Sequence, residues 1–244
     1  MIRFVGRQLR ELYRRGFALF LLAPVIIAIV VVPEFVQHWF EIRSSMFESA
    51  ERARALANDP QRWAFGYAKL AGLLIAMFAA ARFWNAQARG GRWWDVREIA
   101  WLRLGVALAL FALLPALADL LRGLAYWVAS IVLSIAVLPL LFVILGALFG
   151  AQRPGLVESL RSGWRRLPLL VLLLVAAYLP PMAAHYGLHH VARGLATPLV
   201  WVLMTLDSLV VGLIAAFTGA AFALAYDAAW PPATSTPAPS SPLS

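Results

Sequence analysis

The chain contains no cysteine. That excludes disulfides, thiolate metal sites and cysteine nucleophiles. Lysine is almost as scarce: Lys69 stands alone, and every other basic side chain apart from histidine is arginine. Acidic residues number 12 against 21 basic ones, a formal net charge of +9. Asp207 is the one acidic residue well inside an apolar block. Also missing are His-Glu-x-x-His, Gly-x-Ser-x-Gly, a phosphate-binding loop and a Glu-Glu pair within an apolar run. With them go the common signatures of zinc peptidases, serine hydrolases and nucleotide-binding proteins. The balance leans away from an enzyme, and no cofactor and no metal ligand set is expected.

What is present is apolar sequence in blocks. Of 244 residues, 62% are hydrophobic, against about 45–50% in soluble domains. Blocks of this length read as membrane spans. The stretch from Asp95 to Pro115 shows the pattern: a charged segment, Trp101, Arg103, then an unbroken apolar run. A similar arrangement runs from Glu158 through Trp164-Arg165-Arg166 to Pro180, and a fainter one from Arg10 to Pro33. The expected fold is therefore all-α: a polytopic membrane protein of six transmembrane helices in three pseudo-repeated pairs, each pair preceded by a cytoplasmic amphipathic interfacial helix.

Residues 1–16 form the first such helix, with Ile2, Val5, Leu9 and Leu12 on one face and Arg3, Arg7, Arg10 and Arg14 on another. The transmembrane domain is expected over 17–229, with spans near 17–39, 64–84, 101–121, 124–149, 167–185 and 198–226. An extramembrane helix is expected near 41–58, and a disordered tail rich in Pro, Ser and Thr over 230–244. No small-residue cleavage site follows the first apolar run closely, so that run reads as an uncleaved span. Gly72, Ala76 and Ala80 form a small-residue seam on the second span. The last span carries two, Gly212-Ala216-Ala220 and Ala215-Gly219-Ala223, and should contact neighbours on two sides. The tryptophans fall at proposed span ends or in flanking segments, as an aromatic belt requires.

Of the 21 basic residues, 14 fall on the side of the N-terminus and 7 on the other. The positive-inside rule makes the first side cytoplasmic, with both termini there, in a multi-pass protein of a bacterial inner membrane. Arg3, Arg7, Arg10, Arg14, Arg97, Arg103, Arg161, Arg165 and Arg166 are the expected contacts for anionic headgroups on that face. Membrane lipids are thus the first partners. A protein partner or a second copy of the chain stays open, and nucleic acid is not expected. Asp95 and Glu98 read as a capping-box-like helix start.

The intramembrane polar candidates are Asp207 and Lys69. Charged groups in a span usually face the bundle interior and mark a proton, ion or headgroup site. Lys69 could reach Asp207, with Glu34 and Asp119 as other partners. His185, His189 and His190 cluster near the end of the fifth span. Pro180-Pro181 and Gly187 argue against a regular helix there, and no carboxylate or cysteine lies nearby in the chain, so they read as interfacial polar residues.

The sequence Glu158-Ser159-Leu160-Arg161-Ser162-Gly163-Trp164-Arg165-Arg166-Leu167, with Ala225-Tyr226-Asp227 closing the last span, resembles the six-span membrane domain attached to some bacterial glycerophosphodiester phosphodiesterases and its stand-alone inner-membrane relatives. The resemblance spans roughly residues 5–230. It implies a helical membrane domain without an assigned catalytic site, and carries over no functional residue. The resulting expectation is a structural, lipid-organising or partner-binding membrane protein. The alternatives are a transporter for protons or a small amphiphile using Asp207, and a lipid-modifying membrane enzyme.

Overall fold

The computed structural model describes residues 2–231, and the regular structure among them is entirely helical. Ten α-helices follow one another: α1 Ile2–Leu22, α2 Pro24–Arg43, α3 Ala50–Leu56, α4 Pro60–Arg89, α5 Trp101–Ala116, α6 Gly123–Ala136, α7 Leu140–Leu148, α8 Leu156–Ser162, α9 Leu167–Ala192 and α10 Thr197–Ala229. Five helices, or six if α6 and α7 form one span bent by 41°, are long and apolar enough to cross a membrane. Their outward faces are those of a protein in lipid: Leu21, Leu102 and Leu120 are each more than 80% exposed. Water would penalise so much exposed apolar surface, whereas lipid does not.

Several boundaries differ from the sequence expectation. The first apolar run is not one helix. Ala23 leaves helical geometry before Pro24, which cannot donate to the preceding turn and so starts α2 instead. The extramembrane helix is shorter than 41–58. α2 continues to Arg43, a turn with Ser45 at positive φ follows, and Ser49 caps α3 by accepting from the Arg52 backbone N–H at 3.2 Å. The three charged segments take different forms: a 21-residue helix at α1, one 3-10 turn at Val96–Glu98, and α8 with a 3-10 turn after it. Asp95 caps its turn by accepting from Arg97 N at 3.1 Å. α9 continues helically through Pro180 and Pro181 to Ala192. Trp230, expected to open the tail, packs edge-on against Phe142 and lies beneath the Arg166 guanidinium. The remainder of that tail, 232–244, is outside the described residues.

α10 is the central helix, and packs against α9, α4, α2 and α1. Small residues make this possible. A Cβ on Gly212 would lie 2.9 Å from Val31 and 3.1 Å from Ile27, both on α2. A Cβ on Gly219 would lie 2.8 Å from the Met77 carbonyl and 2.9 Å from Ala81 N, both on α4. Across the third side of this triangle, Gly72 of α4 would meet the Ile29 carbonyl of α2 at 2.6 Å. α4 thus meets both α2 and α10 almost backbone to backbone, while Gly212 of α10 admits side chains of α2, as small-residue seams allow. The α5–α6 hairpin is peripheral, with no buried residue on α6, while α7 is buried at every position except Leu141.

Gly219→Ala should lower stability by about 1–3 kcal/mol through overpacking, read as the unfolding midpoint in detergent. Gly105→Ala, inside α5 with open space around it, should not lower the midpoint and should raise stability by up to about 1 kcal/mol through helix propensity.

Candidate functional site

The α2–α4–α10 triangle gathers polar groups at one end, where α9 turns into α10. Glu34, His38 and Glu41 recur at helical spacing on α2 and are buried, as is Gln37 beside them. α9 supplies His185 and His189, four positions apart. α10 supplies Asp207, and α4 supplies Arg62 and Lys69.

The contacts form one network. His38 Nε2 lies 2.9 Å from Asp207 Oδ2 and 3.2 Å from Glu34 Oε1. Its Nδ1 lies 3.0 Å from Glu41 Oε2. Arg62 Nε donates to Glu41 Oε1 at 2.8 Å, and Gln37 Nε2 donates to the same oxygen at 3.0 Å. Lys69 Nζ pairs with Glu34 Oε2 at 3.2 Å. His185 Nδ1 lies 2.8 Å from Asp207 Oδ2, and His189 Nε2 lies 3.3 Å from the same oxygen. Glu34, Glu41 and Asp207 side chains are fully buried, whereas Lys69 and Arg62 keep 21% and 24% exposure. A cavity of about 190 Å³ lined by Gln37, Arg62, Trp63, Gly66, Lys69 and Leu70 opens beside them.

Two features distinguish this cluster from a set of structural ion pairs. Glu34, His185, His189 and Asp207 bring ligand-type atoms within 4.8 Å of one another, while His38, whose two ring nitrogens both face carboxylate oxygens that can only accept, carries both protons and with Arg62 and Lys69 balances Glu34, Glu41 and Asp207. Glu34 Oε2 and His189 Nε2 are also buried without an aligned hydrogen-bond donor or acceptor. Buried polar atoms are rarely left so, and here both are good ligand atoms.

The expected candidates fall as follows. Asp207 is at the centre, and is fully buried rather than at a rim. Lys69 reaches Glu34 and not Asp207. His185 and His189 are on a regular helix, and Asp207 and Glu34 supply the carboxylates that seemed missing beside them. Glu34, His38 and Glu41 were not expected as a set, because the span predicted over 17–39 ends before Glu41, whereas α2 runs on to Arg43.

The arginines gather mostly at the other end, about 33 Å away along α10 at 1.5 Å per residue. Many already have partners. Arg82 donates to the carbonyls of Trp93, Leu148 and Asp95. Arg103 donates to those of Ala151 and Gln152, and Arg166 to that of Ala229. Cavities of about 320 and 420 Å³ at this end are lined by Arg82, Arg89, Arg166 and Tyr226, but the guanidinium donors are turned to backbone. Arg14 donates to Glu11 at 2.7 Å, which with Arg15 holds that carboxyl down at about 2. Arg3, Arg7, Arg10, Arg97, Arg161 and Arg165 are exposed and remain available to headgroups.

Between the two ends the interior is apolar. Residues 24–33 of α2, 70–81 of α4 and 210–225 of α10 include Thr218 as their sole polar side chain. Comparison with protein families, with curated proteins and with solved structures found no match.

His38→Phe removes the one ring that bridges all three carboxylates. It should cost about 3–5 kcal/mol, the usual penalty for stranding a buried charge, measured by unfolding in detergent. An H38F protein as stable as the wild type would show that the carboxylates do not depend on His38.

Proposed function

We propose that the protein is a six-span integral protein of the bacterial inner membrane, with both termini cytoplasmic, whose function centres on binding a cation. The cation is held by the cluster of Glu34, His38, His185, His189 and Asp207, near the periplasmic face. One observation carries this reading: the fully buried Asp207 carboxylate lies between imidazoles from two other helices, with His185 Nδ1 at 2.8 Å and His189 Nε2 at 3.3 Å, and these two rings and Glu34 bring ligand atoms within 4.8 Å of one another. A buried carboxylate is costly unless a positive charge sits beside it, and imidazole and carboxylate together are cation ligands.

The geometry favours a one-sided centre over a conduit. A transport path needs polar groups or a cavity through both halves of the membrane. The interior below Asp207 is packed and apolar, with Ser208, which donates to the Met204 carbonyl, and Thr218 its only polar side chains on α10 before Tyr226. A purely structural or lipid-organising role is supported less well, because such a role does not call for histidines gathered on buried carboxylates. The likeness to the membrane domain of glycerophosphodiester phosphodiesterases remains part of the proposal for the bundle and contributes nothing to the site.

Two experiments address this reading. In detergent, the unfolding midpoint of the wild type should rise on addition of at least one of sodium, potassium, magnesium, manganese or zinc ions, as binding to the native state alone requires. Asp207→Asn should abolish that rise. Identical responses of the two proteins to all five ions would remove the reading. Topology is tested separately, since the cysteine-free chain suits single-cysteine labelling. In intact cells an impermeant maleimide should label Ala55→Cys and spare Gln87→Cys, both of which are exposed. The reverse pattern would invert the orientation.

A further inference from the structure

Resting on that reading, we propose that the cluster is a site for a divalent transition-metal ion of the zinc class. Glu34, His185, His189 and Asp207 ligate the ion, His38 orients Asp207, and Lys69 competes for Glu34. One ligand atom from each of the four residues lies within 4.8 Å of every other. Four donors around a tetrahedral zinc, at about 2.0–2.2 Å from it, stand roughly 3.4 Å apart. Side-chain rotations close that gap without moving helices, because His185 and His189 already share one face of α9 and Asp207 already touches both rings.

The donor types select the ion. Imidazole nitrogen with carboxylate oxygen suits zinc and its first-row neighbours, whereas magnesium and calcium prefer all-oxygen sets. Cysteine is absent, so the site would resemble the His-and-carboxylate sets of open zinc centres more than closed thiolate ones.

The surrounding groups behave as a supporting shell. Ligating carboxylates are normally held by a second hydrogen bond, and loss of that bond typically costs 10–100-fold in affinity. His38 bridges Asp207 to Glu41, and Glu41 is fixed in turn by Arg62 and Gln37. Lys69 has a different part. Its ammonium occupies Glu34 while keeping 21% exposure, so it can withdraw along its flexible stem toward the adjoining cavity when an ion takes Glu34. A structural lysine would stabilise the site, whereas a competing one weakens metal binding.

The test uses the full chain, purified in detergent and stripped with a chelator. Zinc added to the wild type should bind at one equivalent by elemental analysis. Cobalt should bind at the same site and give visible absorption bands of four-coordinate nitrogen and oxygen ligation. Magnesium should bind about 100-fold more weakly or not at all. His185→Ala with His189→Ala should abolish the cobalt spectrum, and His38→Gln should weaken zinc about 10–100-fold. Lys69→Gln should tighten zinc binding, an outcome opposite to that of a site built around the lysine. A wild type that takes up no more zinc than the double histidine variant overturns the inference whatever the folding of the variants. If sodium or magnesium then still stabilises the wild type and not Asp207→Asn, the broader cation-binding reading survives alone. If no ion distinguishes those two proteins, both readings fall.

Discussion

The close packing of α2, α4 and α10 at small residues is the constraint on which the rest of this structure depends. Helices in lipid gain little from hiding apolar surface from one another, so close packing and dispersion must hold them. Gly72, Gly212 and Gly219 each sit where a Cβ would press on a neighbouring helix. With the axes this close, short side chains such as Asp207 reach partners on other helices. His38 meets Asp207 at 2.9 Å for that reason. Wider spacing would leave the carboxylate without its imidazoles, in surroundings that penalise an isolated charge heavily.

The same bundle carries two polar ends of different chemistry. At one, arginines donate to carbonyls that close loops and helix ends, as in the Arg82 contacts to Trp93, Leu148 and Asp95. The planar guanidinium has several donors and no acceptor, so it can satisfy several orphan carbonyls at once but cannot ligate a metal. At the other end, imidazoles and carboxylates converge. These groups can hold a proton or bind a metal. The first end organises the fold, and the second has spare chemical capacity.

Much of the fold was legible in the chain because the bilayer imposes a simple rule: a span needs a long apolar run. α4, α9 and α10 lie where such runs predicted them. The breaks were less legible. The helix break at Ala23 and the 41° bend between α6 and α7 occur inside runs that are apolar on both sides. Hydropathy does not register a turn whose residues are all apolar. Asp207 stood out because a carboxylate in an apolar run is rare and costly. Glu34, His38 and Glu41 follow Pro33 near the end of a run, where polar residues usually face headgroups, and their common face becomes apparent only once α2 is known to continue to Arg43.

By itself the sequence determined the helical membrane class, the run of apolar helices, the small-residue seams and the singularity of Asp207. Each of these depends on local composition and spacing, which the chain carries directly. Only the tertiary structure decided which residues meet. It put Lys69 on Glu34 rather than Asp207, turned Arg103 and Arg166 toward backbone carbonyls, and brought His185 and His189 to carboxylates from two other helices. The reason is physical. A contact between residues 38 and 207 depends on how three helices cross, and that crossing is set by packing along their whole length rather than by any one stretch of sequence.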